Sequence, residues 1–188
     1  MNNSIRIIFT TLTMITLSWF TVESAFAVEK TARTSAKLSM ANVVSEKEDK
    51  RVQILTKYLE KYNSPLAPHA GKFIEEADKN NLDWKLLVSI AGVESYFGKH
   101  IPYNSYNGWG WGVYNGNVHN FTSWDEGITE ISFELRAKYM NKWGAKDVEE
   151  IGSFYAADPN WSKKVTHFMD ELEAFTEKED TSILSLSI

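Results

Sequence analysis

The chain has 188 residues, no cysteine and a formal net charge of −5 at pH 7. Such a length builds one sizeable core and hardly two, the acidic balance leaves no electrostatic footprint for nucleic acid, and the lack of cysteine excludes disulfides and a lipid-modified cysteine. Aromatics are abundant, with seven Trp and eight Tyr. Many stand in polar, glycine-rich surroundings, which suits either a sugar-binding cleft or ordinary core packing.

Residues 1–27 carry Arg6 and no acid before a moderately apolar run over 7–20, then Val22-Glu23-Ser24-Ala25-Phe26-Ala27, a small-x-small cleavage pattern. The expectation is a secretory signal peptide cut after Ala27, since fourteen residues interrupted by Thr and Ser are too few to span a bilayer. The mature protein is then expected in the periplasm or outside the cell, without stable membrane insertion. Residues 28–48 lack any period and mix Thr, Ser, Ala and charges, as a flexible spacer does.

The folded domain is expected over 49–176. A first amphipathic helix over 49–62 places Val52, Leu55, Tyr58 and Leu59 on one face, and Ser64-Pro65-Leu66-Ala67-Pro68 ends it. A second, over 69–80, carries Ala70, Phe73, Ile74 and Ala77. The third, over 82–98, sets Leu87, Ile90, Ala91 and Glu94 at i, i+3, i+4 and i+7, with Asp83 as cap and Gly98 as left-handed terminator. Glu94 thus stands where the pattern asks for an apolar residue. Burial and the negative end of the helix dipole both disfavour its charged form, so its pKa should rise, and a carboxyl that keeps its proton near neutrality can act as a general acid.

From 99 to 122 the helical period vanishes. Gly110-Trp111-Gly112 and Asn117-Val118-His119 flank Asn115-Gly116, a strong hairpin signal, and predict a small β-hairpin lobe beside a cleft. Trp109 and Trp111, spaced by two, would share one face of its strand, either stacking on sugar or packing on the body. Asn104 and Asn107 either bind acetamido groups or form turns. Helices resume with the capping box Ser123-Trp124-Asp125-Glu126 and a stripe of Trp124, Ile128, Ile131, Leu135 and Tyr139. A short helix over 147–154 follows, then Asp158-Pro159 opens a last helix burying Trp161, Val165, Phe168, Leu172 and Phe175, with a frayed tail over 177–188. His100 and His119 have no companions at metal-ligand spacing, so neither metal nor cofactor is expected.

Three motifs add a resemblance. Val93-Glu94-Ser95-Tyr96-Phe97-Gly98 resembles the E-S-x-[FW]-G signature of lytic transglycosylases and bacterial endo-β-N-acetylglucosaminidases, Asn104-Ser105-Tyr106-Asn107-Gly108-Trp109-Gly110 resembles the Asn-rich segment that follows it, and Tyr155-Ala156-Ala157-Asp158-Pro159-Asn160-Trp161 is similar to the Y-A-x-D-P-x-Y motif of the glucosaminidases. They occur in family order and cover about residues 64–175. The resemblance implies a mainly α, lysozyme-like α+β fold and a monomeric enzyme that cleaves β-1,4 bonds between N-acetylglucosamine and N-acetylmuramic acid in peptidoglycan strands. It further implies Glu94 as proton donor, Tyr155 supporting the reacting sugar, and Ser95, Asn104, Asn107, Trp109, Trp111 and Tyr114 as substrate contacts. One departure stands out: no Asp or Glu lies between Glu94 and Asp125. The second carboxylate of most glycosidases is therefore absent from that stretch. A lytic transglycosylase forming anhydro products, or a glycan-binding protein without turnover, are the alternatives.

Overall fold

A computed structural model describes residues 49–112 and 118–186, the side chains of 182–186 excepted. Helix α1 (Lys50–Lys61) begins at Asp49, where the compact unit also begins, and the Asp49 carboxylate caps it by accepting from Arg51 N at 2.9 Å. A 3₁₀ turn (Ala67–His69) leads into α2 (Ala70–Lys79). Helix α3 (Leu86–Ser95) is the central element, buried on every side from Leu86 to Gly92 and packed against α2, against α4 (Trp124–Glu134) and above all against α6 (Trp161–Leu186). Its start lies later than the sequence pattern implies. Asp83 closes a turn by accepting from Lys85 N at 2.9 Å, and the helix opens at Leu86.

The C-terminus of α3 differs as well. Tyr96, Phe97 and Gly98 all take left-handed φ, at 51°, 60° and 80°, where a single glycine is the usual solution. Phe97 N donates to Ala91 O at 2.9 Å, and the reversal drives the Phe97 ring into the core against Tyr62, Tyr58 and Phe168. Gly92 makes this possible, because a Cβ there would sit 2.9 Å from the Phe97 ring and 3.0 Å from that of Phe168. Burial of that ring outweighs the strain of two non-glycine residues at positive φ.

Helix α4 (Trp124–Glu134) is capped by Ser123 Oγ, which accepts from Glu126 N at 3.1 Å. The Glu126 carboxylate reaches back to the amide and hydroxyl of Thr122. Beyond Glu134 the winding loosens to a π-helix over Leu135–Lys142, which keeps Leu135 and Tyr139 buried. Helix α5 (Val148–Tyr155) follows, and α6 (Trp161–Leu186) runs ten residues beyond the point at which the tail was expected to fray. Ion pairs from Lys57 to Glu179 at 2.6 Å and from Lys50 to Asp180 at 2.5 Å hold that extension against α1.

The body is mainly α, but the β-hairpin lobe does not form. Residues 110–112 and 118–121 contain no strand, there is no strand or sheet among the described residues, and Asn115-Gly116 lies outside them. The physical reason is Asn107. Its Nδ2 donates to Trp111 O at 2.6 Å and to His119 O at 2.9 Å, while its Oδ1 accepts from Trp111 N at 3.0 Å. Backbone groups that a ladder would pair are satisfied by one buried amide. Gly110 and Gly112, both at φ +63°, also turn the chain out of the extended region.

Candidate active site

Glu94 stands one residue before the end of α3, and its carboxylate emerges between the loop over 108–112 and the first turn of α6. The loop comes so close that a Cβ on Gly110 would lie 3.0 Å from Glu94 Oε2. From the other side, Trp161 Nε1–H donates to Glu94 Oε1 at 2.6 Å. Burial pushes the Glu94 carboxyl above the ordinary glutamate range, although the Trp161 N–H and the nearby Lys164 charge both favour the anion.

Trp161 is itself held. Its ring stacks on Tyr155 with centroids 4.7 Å apart and planes 22° apart, and the Tyr155 hydroxyl donates to Trp109 O at 2.7 Å. Trp109 in turn donates its indole N–H to Leu87 O on α3 at 3.1 Å. Helix α3, the 108–112 loop, α5 and α6 are thus joined by a chain of aromatic rings and hydrogen bonds that ends on the carboxylate. Trp111 and Tyr139 extend the aromatic wall, with the Trp111 ring centroid 6.1 Å from that of Tyr139 and 6.5 Å from that of Tyr155.

A groove of about 510 Å³ opens beside Glu94 between the end of α3 and the start of α6. Gly92, Val93 and Phe168 supply its apolar floor, Tyr96 and His100 one wall, and Asn160, Lys163, Lys164 and His167 the other. Glu94 is the one acid among these lining residues. Asp125 and Glu126 lie elsewhere: Asp125 accepts from His69 Nδ1 at 2.6 Å, and both line a separate hollow with Lys72 and Glu75. Asp158 accepts from Asn160 N at 2.9 Å and pairs with Lys164 at 2.7 Å; like Asp83 it closes the turn before its helix, which opens at Trp161, and is not the cap that the sequence pattern implies.

The residues expected to touch substrate are divided by the structure. Glu94 and Tyr155 meet through Trp161, and Trp111 is partly exposed near them. Ser95 borders the groove, but its buried hydroxyl serves the fold: it donates toward Gly108 O at 2.7 Å and accepts from Gly98 N at 2.8 Å. Asn107 is the loop brace described above. Asn104 sits at an exposed turn with φ 54° and does not line the groove. Trp109 is 0 % exposed, wedged among Phe73, Phe121 and Trp124, so its ring packs the body and is closed to sugar. The shared face expected for Trp109 and Trp111 falls with the hairpin. Tyr114 lies outside the described residues.

Sequence reasoning placed Trp161 in the core and overlooked its polar end. The signal was available, since a buried indole N–H needs an acceptor and the nearest motif carries an acid without a partner. The two lysines and two histidines of the groove walls were also missed, because they stand on two separate segments and form no linear motif. Among the described residues no cluster has the ligands to hold a metal ion. No protein-family model matches the chain, and no curated protein matches it.

Proposed function

We propose that this chain is an exported peptidoglycan-cleaving enzyme in which Glu94 donates the proton to the leaving oxygen of a β-1,4 glycosidic bond. The observation that carries this reading is a carboxyl group at the edge of an open groove, raised in pKa by burial and oriented by a single neutral donor, Trp161. Such an acid keeps its proton near neutrality and has it aimed where a substrate can lie.

Because Glu94 is the one acid among the described residues lining the groove, the reading favours a one-carboxylate mechanism. As the C–O bond breaks and Glu94 gives up its proton, the charge at the anomeric carbon is met from within the substrate. Its 2-acetamido oxygen closes on that carbon and water then opens the ring, or the muramic C6 hydroxyl attacks and leaves an anhydro product; either way the proton released by the attacking oxygen returns to the Glu94 carboxylate. Tyr155 takes part as a positioning residue, since its hydroxyl is occupied by Trp109 O and its ring sets the plane of Trp161. The bond cut and the hydrolytic or anhydro outcome are both read by mass spectrometry of digested sacculi, the anhydro product being lighter by one water.

The test is Glu94→Gln, which keeps shape and hydrogen bonding but removes the proton. Cleavage of purified sacculi should fall by roughly two to four orders of magnitude. A folded variant that digests sacculi at the parental rate sinks the assignment and leaves a glycan-binding protein as the reading.

A further inference from the structure

The charge around the groove runs against the rest of the molecule. The chain is acidic, at −5, yet the groove wall contributed by α6 is Lys163, Lys164 and His167, with His100 facing from the end of α3. The helix itself gains nothing from this order. A helix N-terminus favours acids, and α4 and α5 obey with Asp125 and Glu126, and Glu149 and Glu150, in their first turns. Helix α6 has no acid in its first turn and carries lysines there instead, with Asp170, Glu171 and Glu173 placed later.

Pairing within the fold does not explain the arrangement either. Lys57, Lys61, Lys72, Lys85 and Lys164 each have a carboxylate within 3.1 Å. Lys163, like Lys142, Lys146 and Lys178, has no ion-pair partner among the described residues, but it alone of these lines the groove, and Asp158, only five positions away, is taken by Lys164. Lys163 and His167 stand at i and i+4, so both project from the same side of α6, toward the groove that they line.

We propose that the groove beside Glu94 seats a carboxylate carried by the glycan strand, with the Lys163 ammonium as first contact and Lys164 and His167 flanking it. This inference rests on the proposed glycosidase reading and names its substrate class: acidic glycans are taken in preference to neutral ones of the same backbone. Two carboxylates answer that description: the lactyl group of a muramic sugar that carries no peptide, and, where a peptide is amide-linked to that lactyl group, the acids of the stem. The apolar floor of Val93 and Phe168 fits the aliphatic part of either.

The test uses the full chain with Glu94→Gln, so that binding is read without turnover. Calorimetric titration compares three ligands of equal sugar length: strands bearing peptide stems, strands stripped of peptide, and chitooligosaccharides, which carry no carboxylate. Lys163→Gln should weaken binding of the acidic ligands by roughly three- to tenfold, a range set by one partly exposed ionic contact, with the loss shrinking as salt is raised. Chitooligosaccharide binding should be unaltered, and Lys163→Arg should restore the acidic ligands. Loss on the stripped strands alone assigns the lactyl carboxylate, loss on the peptide-bearing strands alone assigns the stem, and loss on both assigns a seat that takes either carboxylate. Equal parental affinity for all three ligands, an equal change on all three, or binding to none overturns the inference. A parental enzyme that cleaves sacculi without any preference for acid refutes this inference alone, whereas carboxylate-dependent binding without cleavage refutes the glycosidase reading alone.

Discussion

Glu76 on α2 is buried and Glu94 on α3 half-buried, and their surroundings differ in kind. Glu76 is 1 % exposed and meets Lys72 at 2.9 Å, Lys79 at 3.2 Å, Asn80 Nδ2 at 3.2 Å and Thr129 Oγ1 at 3.2 Å. Burial raises its pKa, but these donors together outweigh burial and hold the carboxyl below the ordinary range. Glu94 has one neutral donor and a more distant cation, and burial prevails. An acid supplied with cations becomes a strut between helices, while an acid left short of them retains a transferable proton.

Exchanging each acid for its amide is the broadest way to break that comparison. Glu76→Gln should leave cleavage intact and destabilise the fold by roughly 2 kcal/mol at neutral pH, because Lys72 and Lys79 lose their charged partner. The effect has a sign in pH. Glu76 has a depressed pKa, so its contribution is complete above the unfolded glutamate value and is lost as pH falls through the folded value; the gap between parent and variant should close in acid. Glu94 is the reverse case. Its raised pKa costs nothing below the unfolded value and costs most above the folded one, so any stability gained by Glu94→Gln should grow as pH rises. Denaturant melts of both variants between pH 4 and pH 8 check the two slopes, and parallel slopes would mean that the two sites are alike.

Trp161→Phe sharpens the comparison by removing the one side-chain hydrogen-bond donor that Glu94 has among the described residues. The carboxyl loses its orientation, so turnover should drop about tenfold, the worth of one aligned hydrogen bond in the transition state. The indole also stabilises the anion, and without it the Glu94 pKa should climb further. The alkaline limb of the pH–rate profile should therefore move to higher pH, a shift that a simple packing defect would not produce.

Tyr155→Phe is expected to have the smallest effect. It removes the hydroxyl bonded to Trp109 O and keeps the ring stacked on Trp161, so turnover should fall by about fivefold, in line with loss of roughly 1 kcal/mol of neutral hydrogen bonding. KM should hold while kcat falls. A loss as large as that of Glu94→Gln would instead place the hydroxyl on the reacting sugar.

Periodicity alone located the helices and the inward acid. Leu87, Ile90, Ala91 and Glu94 recur at helical spacing, and Ser123 caps α4 by accepting from Glu126 N. These are local effects, settled by side chains three or four residues apart, and local chemistry is what a linear pattern records. The fate of the segments on either side of Asn115-Gly116, residues 110–112 and 118–121, was decided elsewhere. Asn107 reaches across the loop to Trp111 and His119, a contact between positions twelve apart that no alternation rule contains.

The same division runs through the candidate site. That an acid sits on a buried stripe at the end of α3 follows from the sequence, because burial of the stripe is set by hydrophobicity. Which groups meet that acid is set by packing. Trp161 lies 67 positions from Glu94, and its N–H finds the carboxylate only because α6 is laid against α3 and Tyr155 fixes the ring. Burial of Trp109 likewise depends on space left by Gly127, where a Cβ would come within 2.7 Å of its ring. A proton's affinity for Glu94 depends on distances between chain segments, and those distances exist only once the helices have packed.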